Sequence, residues 1–154
     1  MHEKKFDIEY LIKVEECSIK ENKKEGHFLS LDLLEKKKSP IHGFGIFAKE
    51  NIPFGKKFYS VPMLDLRKEA APKLVKISTN LFVNDSKVLN WVNHSCDANT
   101  EILFEQKGIF LKSKKDIKVG EEITLDYCCT EERNILIECK CSSSKCRNYF
   151  YITT

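Results

Sequence analysis

The sequence predicts a mainly β fold, and three observations predict it. Short segments with alternating apolar residues recur along the 154 residues, glycine and proline separate most of them, and long helical patterns are absent. Hydrophobic residues make up 42% and charged residues 32%, the composition of one globular domain with a single core. We therefore expect one β-rich domain built from many short strands.

The first part of the chain has the clearest alternation. FDIEYLIKV at 6–14 and FLSLDLL at 28–34 each place apolar residues on one face at period two, which predicts two strands. EKKKSP at 35–40 predicts a solvated, charged turn. GIFA at 45–48 and KFYSV at 57–61 predict two further strands between glycines and prolines.

The middle of the chain mixes both patterns. LRKEAAPKLVK at 66–76 predicts a brief helix interrupted at its proline, because proline lacks the amide hydrogen that a helix interior needs. NLFV at 80–83 predicts a strand and KVLNWVN at 87–93 a helical turn. TEILF at 100–104 and GIFLK at 108–112 have the pattern of a hairpin.

The last part predicts one more strand and a cysteine-rich tail. EEITLDYCC at 121–129 reads as a strand, and NILIECKC at 134–141 leads into the cysteines. The net charge of +3 is too small to indicate nucleic-acid binding without a concentrated patch. No run is apolar enough for a signal peptide or a membrane span, so we expect an intracellular protein with no membrane partner.

The sequence has seven cysteines, a number that calls for an explanation in a chain expected to be intracellular. An odd number and no export signal argue against a disulfide framework. Cys139, Cys141 and Cys146 lie within eight residues among small polar residues, and thiolates in such an arrangement bind zinc tetrahedrally. A fourth ligand must come from elsewhere, and Cys96, Cys128 and Cys129 are the alternatives.

The stretch WVNHSCDAN at 91–99 allows several chemical interpretations. Ser95 or Cys96 beside His94 suggests a nucleophile and its base, but sequence neighbours rarely aim their side chains at one another, and no G-x-S-x-G elbow is present. A metal site explains Cys96 better. Gly43-Phe44-Gly45 lacks the third glycine and the following helix of a dinucleotide-binding loop.

Four motifs taken in order resemble one family. GFGIFA at 43–48, VNHSCDAN at 92–99, GEEITLDY at 120–127 and CKCSSSKC at 139–146 are similar to the motifs of SET-domain protein lysine methyltransferases with a post-SET zinc segment. The resemblance implies small curved β-sheets around a pseudoknot made by the second and third motifs. It implies a SET domain at 27–134 and a post-SET segment at 135–154, leaving 1–26 without an assigned role.

The resemblance also implies S-adenosylmethionine and zinc as cofactors and a protein lysine as substrate. A catalytically silent SET-like protein-interaction module is the alternative, and no direct nucleic-acid partner is expected. The implied catalytic residue is Tyr127, and the implied zinc ligands are Cys96, Cys139, Cys141 and Cys146. The residues implied to contact the methyl donor are Gly43, Phe44, Gly45, Asn93, His94, Tyr127 and Phe150.

Two positions bear on the lysine channel. Tyr151 matches a post-SET position that covers the channel. Leu125 stands two residues before the tyrosine, where the family commonly has phenylalanine or tyrosine. A smaller residue without a hydroxyl is expected to allow di- or trimethylation.

Other positions depart from the family's pattern. Val61 falls where many members have a channel tyrosine, with Tyr59 two residues earlier, and Asn148 replaces a glycine. The sequence does not identify the substrate protein.

Overall fold

The structure is a computed structural model that describes residues 31–78, 80–127 and 135–152. Within these ranges the chain forms short strands and two 3-10 turns, Leu31–Leu33 and Leu89–Trp91, so the predicted mainly β class is confirmed. The strands are β1 Leu34–Lys38, β2 Phe44–Ala48, β3 Lys57–Ser60, β4 Leu66–Arg67, β5 Val75–Ser78, β6 Leu81–Val83, β7 Asn93–His94, β8 Thr100–Glu105, β9 Gly108–Ser113, β10 Glu122–Leu125, β11 Ile135–Glu138 and β12 Tyr149–Ile152.

The strands form four small sheets, with orders β1-β2-β10-β7, β3-β9-β8, β4-β6-β5 and β11-β12. In the first sheet β10 and β7 run parallel, with Asn93 opposite Thr124 and His94 opposite Leu125. The Ser95 amide extends this pairing by donating to the Leu125 carbonyl at 3.0 Å. Two motifs some thirty residues apart therefore lie side by side, as the predicted pseudoknot requires.

One hydrophobic core joins these sheets. Its fully buried side chains include Ile46 on β2, Phe58 on β3, Leu111 on β9 and Ile123 on β10. Truncating such a side chain to alanine removes its apolar burial and leaves a cavity, a loss of about 2–5 kcal/mol. The core therefore fixes β2 and β10, the two strands that hold the motifs next to the pocket described below.

Three predicted elements need correction. Residues 31–33 are a 3-10 turn rather than strand, and strand β1 covers 34–38, where a charged turn was expected. Its lysines point outward from an edge strand paired to β2, which is a common way of protecting a sheet edge. The expected helix at 66–76 is absent, because Leu66–Arg67 pairs with β6 instead and Val75 begins β5. The strand expected at 6–14 lies outside the described residues.

Most of the other predicted elements agree with the structure, although the strand expected at 121–129 covers only Glu122–Leu125 among the described residues. The strands at 45–48, 57–61 and 80–83, the turn at 87–93 and the hairpin at 100–112 all appear within a residue or two of their expected bounds. In the described ranges, no helix is long and apolar enough to cross a membrane.

Candidate active site and metal centre

A cavity of about 450 Å³ opens beside the parallel strand pair. The start of β2, the loop before β5, the second 3-10 turn, β7, β10 and the C-terminal hairpin all contribute to its wall. Its lining residues are Ile41, His42, Gly43, Phe44, Pro72, Lys73, Val75, Leu89, Asn90, Trp91, Val92, Asn93, His94, Leu125, Tyr127, Ile137, Phe150 and Ile152. Three of the four sequence motifs thus meet at one mostly apolar pocket, and the strands on either side of the fourth motif complete its wall.

Asn93 holds the glycine loop in place. Its Nδ2 group donates to the carbonyls of His42 and Phe44, both at 3.0 Å, and to Glu122 Oε1 at 2.8 Å. Because the amide hydrogens are committed to the protein, Oδ1 is the atom that Asn93 can offer to a ligand, and it can only accept.

Gly45 allows this close approach. A Cβ atom there would lie 2.2 Å from Glu122 Oε1, a separation no side chain can occupy without displacing the carboxylate. Ser39 Oγ also donates to Glu122 at 2.8 Å, so the carboxylate is anchored from two sides. The sequence interpretation included Gly45 but missed Glu122, although the adjacent glutamates of GEEITLDY were a signal for it.

Tyr127 contacts Val92, the residue between the second 3-10 turn and β7. Its hydroxyl donates to the Val92 carbonyl at 2.5 Å, and its backbone amide donates to His94 Nδ1 at 3.1 Å. Because the hydroxyl proton is directed at Val92, the oxygen acts as an acceptor toward a pocket ligand. The Val92 carbonyl therefore fixes the orientation of the Tyr127 hydroxyl.

His94 is a buried, neutral side chain. Burial is the main cause that lowers its pKa to about 4; the Arg147 charge adds to this and the Asp126 charge opposes it. Since Nδ1 accepts the Tyr127 amide, the proton lies on Nε2, which is 3.3 Å from Cys96 Sγ. The ring also stacks on Phe150, with centroids 4.1 Å apart and planes at 21°.

Four cysteines form a second cluster next to the pocket. The sulfur atoms of Cys96, Cys139, Cys141 and Cys146 all lie within 4.8 Å of one another, and Cys96 and Cys139 are 3.7 Å apart. Four thiolates at ~2.3 Å around a tetrahedral zinc are about 3.8 Å from each other, so the arrangement fits zinc. Cys96 joins the C-terminal trio, whereas the alternatives Cys128 and Cys129 fall outside the described residues.

The surroundings of the sulfurs favour the thiolate of Cys141, whereas burial raises the pKa of Cys96 and of Cys139. Backbone amides of Arg147 and Asn148 donate to Cys96 and Cys146, both at 3.3 Å. Burial raises the pKa of Cys141, but backbone hydrogen bonds from Cys96 and Ser143 outweigh it and lower the value to about 6. Burial raises the pKa of Cys139, so the thiols differ until a metal binds.

The hairpin β11–β12 closes one side of the pocket. Alternation along the strands directs Ile137, Phe150 and Ile152 toward the cavity. Tyr151 pairs with Leu136 on the opposite face, is 41% exposed and does not line the pocket. The structure therefore brings Phe150 to the expected site and places Tyr151 on the outer face of the hairpin.

Arg147 ties this hairpin to the core. Its guanidinium forms a bidentate pair with Asp126, the residue before Tyr127, at 2.9 and 2.8 Å. Asn148 follows with φ of +68°, a left-handed conformation that explains why glycine is usual here and why asparagine is tolerated.

Leu125 lines the pocket and is 3% exposed, whereas Tyr59 and Val61 do not line it. The Tyr59 hydroxyl donates to buried Asp85 Oδ2 at 2.9 Å, and burial, followed by the Asp85 charge, raises its pKa. Asp85 also accepts three backbone amides that begin the second 3-10 turn. Tyr59 is therefore a structural residue that cannot replace a channel tyrosine at position 61.

A family model for the SET domain matches residues 43–128, more than half of the chain. The chain therefore belongs to the SET-domain family, and the resemblance carried by its motifs is confirmed.

The relatives it matches are much longer proteins. The chain is 33% identical over 131 residues to histone-lysine N-methyltransferase set1 of Dictyostelium discoideum, covering 71% of this chain and 9% of that protein. It is 30% identical over 132 residues to histone-lysine N-methyltransferase SETD1B of Homo sapiens, covering 71% of this chain and 7% of that protein. The chain thus spans under a tenth of either relative.

Solved structures show the same fold. The methyltransferase domain of human SETMAR matches with a TM-score of 0.60 at 16% identity, over 78% of this chain and 58% of that one. KRYPTONITE, crystallised with mCHH DNA, an H3(1-15) peptide and SAH, matches with a TM-score of 0.62 at 19% identity, over 77% of this chain and 29% of that one. At these identities the likeness establishes the fold.

Proposed function

We propose that the chain is a protein-lysine N-methyltransferase that uses S-adenosylmethionine. The convergence of Asn93, His94 and Tyr127 on one pocket, closed by Phe150, is the observation that carries this proposal. The relatives named as histone-lysine N-methyltransferases and the SAH in the KRYPTONITE structure support it.

The pocket suits a zwitterionic, adenosyl-bearing ligand. S-adenosylmethionine supplies a methyl group on a positively charged sulfur. Asn93 Oδ1 can accept from the ammonium of its amino-acid end, beside the backbone of Gly43, Phe44 and Gly45. His94 and Phe150 form a stacked apolar wall against which an adenosyl group can pack.

Lysine must lose its proton before its amine can attack. At pH 7 that costs about 4.6 kcal/mol for a side chain of pKa ~10.4. The apolar wall around Leu125 and Val92 disfavours the ammonium, which lowers the pKa of a lysine that enters. The Tyr127 oxygen, held by the Val92 carbonyl, accepts from the amine and so aims its lone pair. Positioning and electrostatics thus account for most of the catalysis.

The four cysteines are proposed to hold one structural zinc ion that keeps the C-terminal segment over the pocket. Tyr151 is proposed to lie along the approach of the substrate, on the outer face of the same hairpin. The units are proposed to be a SET domain at 27–134 and a post-SET segment at 135–154. A lysine-containing protein is the proposed substrate, and histones are the first class to test.

Replacing Tyr127 with phenylalanine tests the proposal. The variant should bind S-adenosylhomocysteine as the wild type does, while methyl transfer falls about a hundredfold or more, because the hydroxyl acts on the reacting groups. Calorimetry measures the first quantity and transfer of labelled methyl groups the second.

Tyr149→Phe is the matched control, because Tyr149 is exposed on the hairpin and does not line the pocket. It should leave both quantities unchanged. Full methyl transfer by Tyr127→Phe would rule out the proposed role of Tyr127.

A further inference from the structure

Tyr59 is a buried tyrosine of β3 that does not line the pocket. It follows Phe58, which is buried as well, and the pairing of β3 with β9 changes register between Lys57 and Tyr59. Such an irregularity can re-aim a side chain, whereas a regular strand alternates its faces. The Tyr59 hydroxyl donates to Asp85 Oδ2 at 2.9 Å. A tyrosine of one sheet therefore reaches the carboxylate that precedes the second 3-10 turn.

The Asp85 carboxylate is 2% exposed and is held by four neutral donors. Its Oδ1 accepts from the amides of Lys87 and Val88 at 3.1 and 3.3 Å, and its Oδ2 accepts from the Leu89 amide at 3.1 Å as well as from the Tyr59 hydroxyl. Four donors match the acceptor capacity of a carboxylate. In the part of the chain that the structure describes, no cationic side chain pairs with Asp85. Loss of the hydroxyl would therefore leave a buried charge incompletely bonded.

The second 3-10 turn connects Asp85 to the pocket. The Asp85 carbonyl accepts from the Asn90 amide at 3.0 Å, and the Val92 amide donates to the Leu89 carbonyl at 3.2 Å where the turn ends. The carbonyl of Val92 then accepts from the Tyr127 hydroxyl at 2.5 Å. A continuous series of hydrogen bonds therefore runs from the buried carboxylate to the Tyr127 hydroxyl.

Tyr127 carries the only side-chain hydroxyl among the described residues that line the pocket. Movement of the turn would displace the Val92 carbonyl and redirect that hydroxyl, and displacing a reacting group by about 1 Å can lower a rate about a hundredfold. We propose that Tyr59 and Asp85 are positioning residues for methyl transfer, acting through the second 3-10 turn on the Tyr127 hydroxyl. The assignment rests on the proposed function of the pocket.

A double-mutant cycle between Tyr59→Phe and Tyr127→Phe tests this assignment. The measured quantity is the single-turnover rate of methyl transfer at saturating S-adenosylmethionine, with histone H3 or a lysate of the source organism as acceptor. Tyr59→Phe should lower this rate about tenfold when Tyr127 is present. In the Tyr127→Phe background it should lower the rate less than about twofold, because the hydroxyl that Tyr59 orients is already absent. Binding of S-adenosylhomocysteine, measured by calorimetry, should be unchanged.

Asp85→Asn should show the same dependence on Tyr127, because it weakens the same series of hydrogen bonds. Ser113→Ala is the matched control, since Ser113 is fully buried and donates to the Pro53 carbonyl at 2.6 Å away from the pocket. It should transfer methyl groups as the wild type does.

Three results for Tyr59→Phe would overturn the assignment: an unchanged rate, an equal loss in both backgrounds, or loss of S-adenosylhomocysteine binding. The last two would indicate that Tyr59 only supports packing. Failure of the wild type to methylate either acceptor would instead count against the proposed function, and the assignment would fail with it.

Discussion

The side chain at position 125 affects how much space the pocket has beside Tyr127. It lies on β10 opposite His94, is buried and contributes to the pocket wall next to Tyr127. A tyrosine at this position would add a ring and a hydroxyl that can hold a water molecule beside the lysine nitrogen. Leucine adds neither, so we propose that the pocket has room for a second and a third methyl group.

Leu125→Tyr should therefore shift the product toward monomethyl-lysine. The wild type should form di- or trimethyl-lysine on a peptide over a long incubation with excess methyl donor, as measured by mass spectrometry. Leu125→Phe is the control, because it adds the ring without the hydroxyl and should keep the higher products. If the wild type stops at one methyl group, another residue limits the pocket.

For single residues, the sequence predicted correctly that several motif residues line the pocket, but it did not predict the position of residues outside the motifs. Asn93, His94, Tyr127 and Phe150 all line the pocket, as expected from their motifs. Lys73 was expected in a helix, and nothing in its neighbours indicates that it reaches Trp91. The placement of Lys73 depends on its own left-handed backbone conformation and on tertiary contacts. A local sequence pattern encodes neither of these.

The C-terminal hairpin is the element on which closure of the pocket depends. Among the described residues, its attachments to the core include the cysteine cluster, the contacts of Phe150 with His94 and Tyr127, and the pair between Arg147 and Asp126. The last is planar and bidentate, a geometry that arginine makes and lysine does not.

Arg147→Lys should therefore loosen the hairpin while the core remains folded. We expect faster amide hydrogen exchange over residues 135–152, measured by mass spectrometry, and S-adenosylhomocysteine binding a few-fold weaker. Arg67→Lys is the matched control, because Arg67 forms a similar bidentate pair with Asp65 outside the pocket. Equal exchange in the two variants would show that Arg147 does not hold the hairpin.

Two of the three elements that were predicted wrongly explain the limits of pattern reasoning. EKKKSP was predicted to be a turn because its lysines are polar. An edge strand, however, needs only one partner, and in β1 all the side chains after the first are exposed. The 66–76 segment has residues that favour helix, but pairing of Leu66–Arg67 with β6 overrides that preference. In both places the deciding partner is a later strand, β2 for the first segment and β6 for the second.

At the scale of the whole molecule, one zinc ion is expected to join the SET core to the C-terminal segment. Metal analysis of protein purified without chelator should find about one zinc per chain. Apparent zinc affinities of such sites are about 10–16 kcal/mol, so the order of the segment should depend on the metal. Chelation should weaken S-adenosylhomocysteine binding, because Phe150 and Arg147 belong to the same segment.

Cys96→Ser and Cys141→Ser should lower the zinc content, whereas Cys17→Ser and Cys128→Ser should not. The second pair provides the control for loss of a thiol in general. Zinc retained at one per chain in Cys96→Ser would exclude Cys96 and leave Cys128 or Cys129 as the fourth ligand.

Methyl transfer to lysine is the most direct test of the account as a whole. The chain is incubated with methyl-labelled S-adenosylmethionine and, separately, with histone H3 and with a lysate of its source organism, and labelled residues are identified by mass spectrometry. The account predicts label on lysine Nζ with the wild type and about a hundredfold less, or none, with Tyr127→Phe. S-adenosylhomocysteine binding by the wild type without any lysine methylation in either acceptor would contradict it and would indicate a SET-like interaction module.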